Sequence, residues 1–245
     1  MRIPEGFRLA GAGALVRRGY EGELLAWRRC AGEGPSGALG VGGRGASTRA
    51  RLGDGAYAFV RRYRHGGFLG AVLGEAYFGH PPRPWRELVA TEAARRAGVL
   101  APEVLAAVVE PYERSLFGVP YRGVLVTREI AERRLLRDAL AGASSEQERR
   151  GWIAAASAAV QQLHACGVSH PDLNVTNLLV GRSLELPIAI IDFDRAVART
   201  SPVGPAGRWM ARRRLARSIA KLKMPGLGRS DCRRLLSGIV RGGPR

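Results

Sequence analysis

The segment His170-Pro171-Asp172-Leu173-Asn174-Val175-Thr176-Asn177 is followed, after fourteen further residues, by Asp192-Phe193-Asp194. It sets an Asp and an Asn five positions apart on one loop, and a second Asp at the end of the apolar run Ile188-Ala189-Ile190-Ile191. Singly, each has a commonplace reading: Asp172 as a turn residue, Asn177 as a turn or cap, Asp192 as a strand-end carboxylate. Jointly they are far more specific, because Leu163-His164-x-x-Gly167-x-x-His170 leads into the same loop.

The combination resembles the catalytic loop and metal-binding motif of the protein-kinase-like fold, H-x-D-L-x-x-x-x-N and then D-F-G after a hairpin. Phosphoryl transfer needs a carboxylate that accepts a hydroxyl proton, and oxygen ligands for the Mg²⁺ that neutralises phosphate charge. The resemblance therefore implies Asp172 as the catalytic carboxylate and Asn177 and Asp192 as metal ligands. His164 and His170 read as structural, the loop histidine bracing the backbone.

Upstream of the loop, residues 147–166 place Trp152, Ile153, Ala156, Val160 and Leu163 on one helical face, with Gly167 as the stop. Residues 131–141 are a second helix candidate, and a basic helix is expected over 209–223. Before Thr127 the character is different. Glycines and short apolar runs such as Leu24-Leu25-Ala26-Trp27 and Tyr57-Ala58-Phe59-Val60 predict strands. Residues 85–97 read as a helix ended by Gly98 and Pro102, and 104–109 and 122–126 as two more strands. The expectation is an α+β, protein-kinase-like bilobal fold: a β-rich N-terminal lobe with one helix over 1–126, a hinge at 127–130 and a mostly helical C-terminal lobe over 131–245.

Charge narrows the chemistry less than it first suggests. The 39 Lys+Arg against 21 Asp+Glu give +18 over 245 residues, and all but Lys221 and Lys223 of the basic residues are arginine. An anionic partner is implied, although GC-rich coding explains the arginine preference equally well. With 46% hydrophobic residues the chain has material for a core, which excludes intrinsic disorder. Cys30, Cys166 and Cys232 are too few and too scattered for a disulfide framework or a zinc site, so a reducing compartment is expected. No run of 18 apolar residues occurs, and Pro4, Glu5 and Arg8 do not suit a secretion leader, so a cytoplasmic chain is expected.

A kinase-like fold needs a phosphate-facing cation in the β-rich lobe, usually a lysine, and here no lysine precedes Lys221. Arg61 in Phe59-Val60-Arg61-Arg62-Tyr63 stands at the matching place, and a guanidinium keeps the charge. Glu87 is the best partner for it by distance to Gly98 and Pro102, with Glu92 the alternative. Loss of the lysine also marks pseudokinases, but intact Asp172, Asn177 and Asp192 argue against decay. Gly43 and Gly45, in the segment Gly40 to Ser47, would cover the phosphates of ATP with backbone N–H groups. Thr127 and Glu129 would form the hinge whose backbone pairs with adenine.

Arg61-Arg62-Tyr63-Arg64-His65-Gly66-Gly67, Gly98-Val99-Leu100-Ala101-Pro102, the loop at 170–177 and Ile191-Asp192-Phe193-Asp194-Arg195 together resemble the lipopolysaccharide kinase family, its Kdo (3-deoxy-D-manno-octulosonic acid) kinases above all. The likeness runs from about residue 35 to 225. It implies ATP- and Mg²⁺-dependent phosphorylation of a Kdo hydroxyl, the 4-OH in the family, on a lipid A precursor. A monomer held peripherally on the inner face of the bacterial cytoplasmic membrane is implied too. Arg62, Arg64, His65, Asn174 and Arg195 are the implied substrate residues. His65 replaces an arginine of the family's basic turn, Pro171 sits inside the loop, and the glycine-rich segment is irregular. Only thirteen residues separate Arg195 from Trp209, too few for a peptide-docking activation segment. Alternatives are an atypical protein kinase or antibiotic phosphotransferase, a non-catalytic kinase-like scaffold, and a basic nucleic-acid-binding module. The last lacks any aromatic-basic RNA motif or zinc-finger spacing, so no nucleic acid is expected.

Overall fold

The structure, a computed structural model, describes residues 3–11, 13–32, 47–65, 74–111, 120–222 and 229–240. It divides into two compact units. Unit 1 comprises residues 1–89 and 103–129, and unit 2 comprises 90–102 and 130–245.

Unit 1 is built on an antiparallel sheet of β1 (Phe7–Ala10), β2 (Ala14–Arg17), β3 (Ser47–Arg51), β4 (Tyr57–Arg62), β5 (Val104–Pro111) and β6 (Tyr121–Arg128), in the order β1-β2-β5-β6-β4-β3. Between β2 and β3 lies helix α1 (Leu24–Gly32), where the sequence predicts a strand at Leu24 to Trp27. Leu24 and Trp27, three apart, are buried while Leu25 is exposed, a helical rather than an alternating pattern. They pack with Ala58, Val60, Val124 and Val126 of the sheet. A second cluster joins Leu88 of α2 (Arg83–Arg96) to Tyr63, Val104 and Leu125. Ala58 and Val60, two apart on β4, thus share the first cluster, and Tyr63, just past the strand's end, joins the second.

From Ala90 onward α2 and the turn after it belong to unit 2. Ala90, Ala94, Val99 and Ala101 share that unit's core, Gln162 Nε2 donates to the Ala97 carbonyl at 3.0 Å, and Ile190 N to Leu100 O at 2.9 Å. Gly98 ends the helix with φ +80°, a conformation that costs a residue with a Cβ.

In unit 2, β7 (Arg134–Leu135) leads into α3 (Leu136–Ala141), so the helix expected from Ala131 starts five residues later. Glu132 has φ +57°, and Arg134 and Leu135 pair with Val180 and Leu179 instead. The long helix α4 (Glu146–Ala165) is capped by Ser145, whose hydroxyl accepts from Glu148 N at 3.1 Å. Its apolar face buries Trp152, Ile153, Ala156, Val160 and Leu163. Past Gly167 come β8 (Val168–Ser169), β9 (Leu178–Val180), β10 (Ala189–Ile190) and β11 (Val197–Ala198). β9 is flanked by β10 and β7, while β8 pairs with β11. Helices α5 (Pro205–Leu222) and α6 (Arg229–Val240) complete the unit.

Candidate active site

The loop at 170–177 hangs between two short pairings. β8 with β11 anchors its entry, and β9 with β10 its exit. Gly167 admits this geometry: its φ is +81°, and a Cβ there would lie 2.3 Å from the Arg199 carbonyl oxygen. Two amides then clamp the loop centre. Asn174 Nδ2 donates to the Asp172 carbonyl at 2.9 Å and Asn177 Nδ2 to the same oxygen at 3.0 Å. Asn174 Oδ1 also accepts from Thr176 N at 2.7 Å, capping the single turn Val175–Asn177. With its backbone held this way, the Asp172 carboxylate remains 44% exposed, 4.0 Å from the Arg195 guanidinium.

Asp192 is tied to the same loop through its neighbour, since Ile191 N donates to Asn177 O at 3.0 Å. Its φ of +63° lies in the left-handed region, uncommon for a non-glycine residue and typical of functional positions. His170 braces both segments. Its Nε2 donates to the Ile191 carbonyl at 3.1 Å and its ring lies 5.3 Å from that of Phe193. Burial pushes the His170 pKa down, so the ring is neutral, and its Nδ1 is buried with no hydrogen-bond partner among the described residues. His164, on α4, is pushed down to about 4, by burial first and then by Arg208 and His170.

On unit 1, β4 separates its arginines by face. Arg61 Nη2 lies 2.5 Å from both carboxylate oxygens of Glu87, and Tyr63 donates its phenolic hydroxyl to the same group. Glu92 instead meets Arg95 at 3.4 Å, one turn along α2. Arg62 points the other way, to Glu75 at 3.1 Å, and Arg64 meets Glu75 at 2.9 Å. His65 stacks on Tyr77 with ring centroids 4.1 Å apart, and its Nε2 donates to the Ala76 carbonyl at 2.9 Å. That nitrogen braces the turn.

Thr127 continues β6, paired with Phe59 and Val104. Glu129 N donates to Tyr57 O at 2.8 Å, and the Glu129 carboxylate accepts from Arg49 at 2.7 Å. Gly43 and Gly45 lie outside the described residues.

Sequence reasoning does not single out Tyr63, Glu75 or Arg122 as site residues. Tyr63 has a local signal, since it stands two positions from Arg61 on a strand. Glu75 has none, because its contacts with Arg62, Arg64 and Arg122 come from the fold.

Among the described residues no group of three or more His, Cys, Asp or Glu side chains is placed to hold a metal ion. The donor set at Asp192 and Asn177 is one carboxylate and one amide oxygen. It suits a hard cation that takes its remaining ligands from phosphate and water. The Asn177 amide fits, since its nitrogen is spent on the Asp172 carbonyl and its oxygen is left as the acceptor.

Comparison with known proteins agrees with these features. The model of the lipopolysaccharide kinase (Kdo/WaaP) family matches residues 43–238. A 3-deoxy-D-manno-octulosonic acid kinase of Xylella fastidiosa is 30% identical over 195 residues, 76% of this chain and 70% of that protein. One from Stenotrophomonas maltophilia is 31% identical with the same coverage, and one from Vibrio cholerae 27% over 165 residues, covering 66% and 65%. Among solved structures, WaaP in complex with acyl carrier protein superposes with a TM-score of 0.64, covering 94% of this chain and 89% of that one at 19% identity. The fold is protein-kinase-like, and the chain belongs to the lipopolysaccharide kinase (Kdo/WaaP) family.

Proposed function

We propose that this protein transfers the γ-phosphoryl group of ATP to a hydroxyl of a Kdo sugar, the 4-OH, on a lipid A-type glycolipid. The observation that carries the reading is the loop itself. Two side-chain amides pin the Asp172 backbone while its carboxylate stays accessible, and Asn177 and Asp192 are linked to the same loop by backbone bonding. Asp172 accepts the proton of the acceptor hydroxyl as that oxygen attacks phosphorus. Asp192 and Asn177 hold Mg²⁺, which offsets phosphate charge when bound. Arg61 supplies the fixed cation toward the nucleotide phosphates, oriented by Glu87 and Tyr63. Thr127 and Glu129 flank the adenine, and Gly43 and Gly45 cover the phosphates. Arg195, near Asp172, and Arg62 and Arg64 meet the anionic acceptor; Asn174 acts by positioning Asp172.

The protein works at an anionic membrane surface as a monomer on the cytoplasmic side of the inner membrane. Among the described residues no helix is long and apolar enough to cross a membrane. Helix α5 nevertheless exposes Trp209 and Met210, at 50% and 45%, beside exposed Arg212, Arg213 and Arg217. The Arg213 guanidinium lies 4.7 Å from the Trp209 ring. Aromatic and basic side chains together suit a headgroup layer.

Incubation of the purified protein with radiolabelled ATP and Kdo-lipid A, heptosylated lipid, peptide or aminoglycoside tests the acceptor. Mg²⁺-dependent label in the Kdo-lipid is expected. Label entering peptide or aminoglycoside instead would overturn the acceptor, and label entering none would overturn the reaction.

A further inference from the structure

Strand pairing along β6 stops at Arg128, opposite Ala58, and Glu129 N adds one more backbone bond, to Tyr57 O at 2.8 Å. Side chains do the rest of the anchoring. Val124 and Val126 pack with α1, and alternation puts Arg128 on the same face of the strand. Its guanidinium reaches acceptors on three separate segments. Nε donates to Glu103, just before β5, at 3.0 Å, and Nη2 lies 2.8 Å from Asp54 in the turn between β3 and β4. Nη2 also donates to the hydroxyl of Tyr20, just before α1.

Each acceptor is itself held. Glu103 meets Arg17 of β2 at 3.3 Å, and Asp54 accepts from Ala56 N at 3.0 Å within its turn. Tyr20 stacks on the buried Trp27 of α1, with ring centroids 6.2 Å apart. Glu129, the next residue along the chain, is bound separately: its carboxylate accepts from Arg49, whose guanidinium lies 3.5 Å from the Tyr57 ring centroid. Arg128 and Glu129 therefore fix the strand end through different partners. A guanidinium suits the task, because its N–H donors lie in one rigid plane and satisfying three acceptors at once fixes where its own backbone sits.

We propose that Arg128 is a positioning residue for nucleotide binding, holding the end of β6 where the base of ATP is received, and that Tyr20 belongs to the same device. Tyr20 precedes residues 43–238, the span that matches the family model, so part of the support comes from outside that span. This rests on the proposed placement of adenine beside Thr127 and Glu129. Loosening the strand end lowers the fraction of molecules ready to receive the base, and apparent affinity falls by that fraction. Arg61, which faces the phosphates in that reading, is held independently by Glu87 and Tyr63. Base and phosphate binding should therefore respond differently.

The test is calorimetric titration of the full chain with adenosine and, separately, with inorganic tripolyphosphate and Mg²⁺, at fixed ionic strength. Tyr20→Phe removes one acceptor and keeps the ring on Trp27, so adenosine should bind about threefold weaker. Arg128→Ala should weaken it about tenfold or more. Arg128→Lys should recover only part of that loss, since a point charge cannot span three acceptors. Tripolyphosphate should bind all three variants as it binds the parent. In turnover, KM for ATP should rise while KM for the lipid acceptor holds.

Equal losses for adenosine and tripolyphosphate would mean that the network only stabilises the fold, and would overturn the proposal. Unchanged adenosine affinity in Tyr20→Phe and Arg128→Lys overturns it too, and these two variants carry the test if Arg128→Ala does not fold. A parent that binds tripolyphosphate but not adenosine overturns the adenine placement and this inference with it. A parent that binds adenosine yet labels no acceptor overturns the proposed reaction alone.

Discussion

Arg61 Nη2 lies 2.5 Å from both carboxylate oxygens of Glu87, a residue only 3% exposed on α2. Tyr63, on the same face of β4, donates to that carboxylate too. A buried carboxylate held by a guanidinium and a phenol fixes the direction of the cation. The charge is permanent, and no lowered pKa is needed to keep an amine ionised or poised.

Arg61→Ala should cost stability, on the order of 3 kcal/mol in denaturant unfolding, because Glu87 then loses its buried counter-charge. In kinetics it should raise KM for ATP and lower kcat, with Arg61→Lys recovering part of both. Arg62→Ala should leave KM for ATP unchanged, since Arg62 faces Glu75. A damaged KM in Arg62→Ala with a silent Arg61→Ala would reassign the phosphate contact.

Replacing Asp172 by Asn should lower kcat by roughly 10²-fold or more while the circular dichroism spectrum stays that of the parent. The backbone clamp explains why folding should survive: Asn174 and Asn177 bind the Asp172 carbonyl, which every residue possesses. Near-parental turnover in this variant would remove Asp172 from the chemistry.

Asp192→Ala should abolish transfer and make nucleotide binding indifferent to Mg²⁺, measured by titration with and without the ion. The alanine must also hold the left-handed φ of +63°, so Tm should fall by a few degrees, a loss of about 1 kcal/mol. Asp192→Asn, which tolerates that conformation, should keep Tm while still losing the Mg²⁺ response. Parental Mg²⁺ dependence in both would place the metal elsewhere.

The buried His164 predicts a loss of stability in mild acid. Its folded pKa is lowered from 6.5 to about 4, so below pH 6.5 the unfolded chain takes up a proton that the folded chain refuses. Stability is therefore fully present above pH 6.5 and falls as pH drops toward 4, by about 2 kcal/mol between pH 7 and 5. Urea midpoints at pH 7, 6 and 5 should show this fall, and His164→Asn should flatten it. An equally steep fall in the variant would shift the cause to other groups.

Much of the candidate site was legible because its signals are local. Asp172 and Asn177 lie on one short loop whose spacing is set within the sequence, and strand alternation alone sends Arg61 and Arg62 to opposite faces. Residues 147–166 likewise announce their buried face by period. Leu24 to Trp27 was illegible as helix because a four-residue apolar run carries no period. Arg134 and Leu135 were illegible as a strand because their pairing partners, Val180 and Leu179, lie in β9, more than forty residues away.

The protein-kinase-like class and the local pattern of Asp172, Asn177, Asp192 and Arg61 are thus written in the sequence, with Arg61 marked as the candidate cation. Tertiary structure settled which carboxylate holds Arg61. Glu87 and Glu92 stand five residues apart on one helix, about 140° around its axis, so just one can face β4, and the packing of Leu88 against Tyr63, Val104 and Leu125 selects the face carrying Glu87. It alone assigned residues 90–102 to unit 2, through apolar contacts with α4 and the bond from Ile190 to Leu100. It alone brought Glu75 to three arginines. In each case the deciding interaction joins residues distant in sequence, whose meeting depends on the burial of apolar surface elsewhere in the chain.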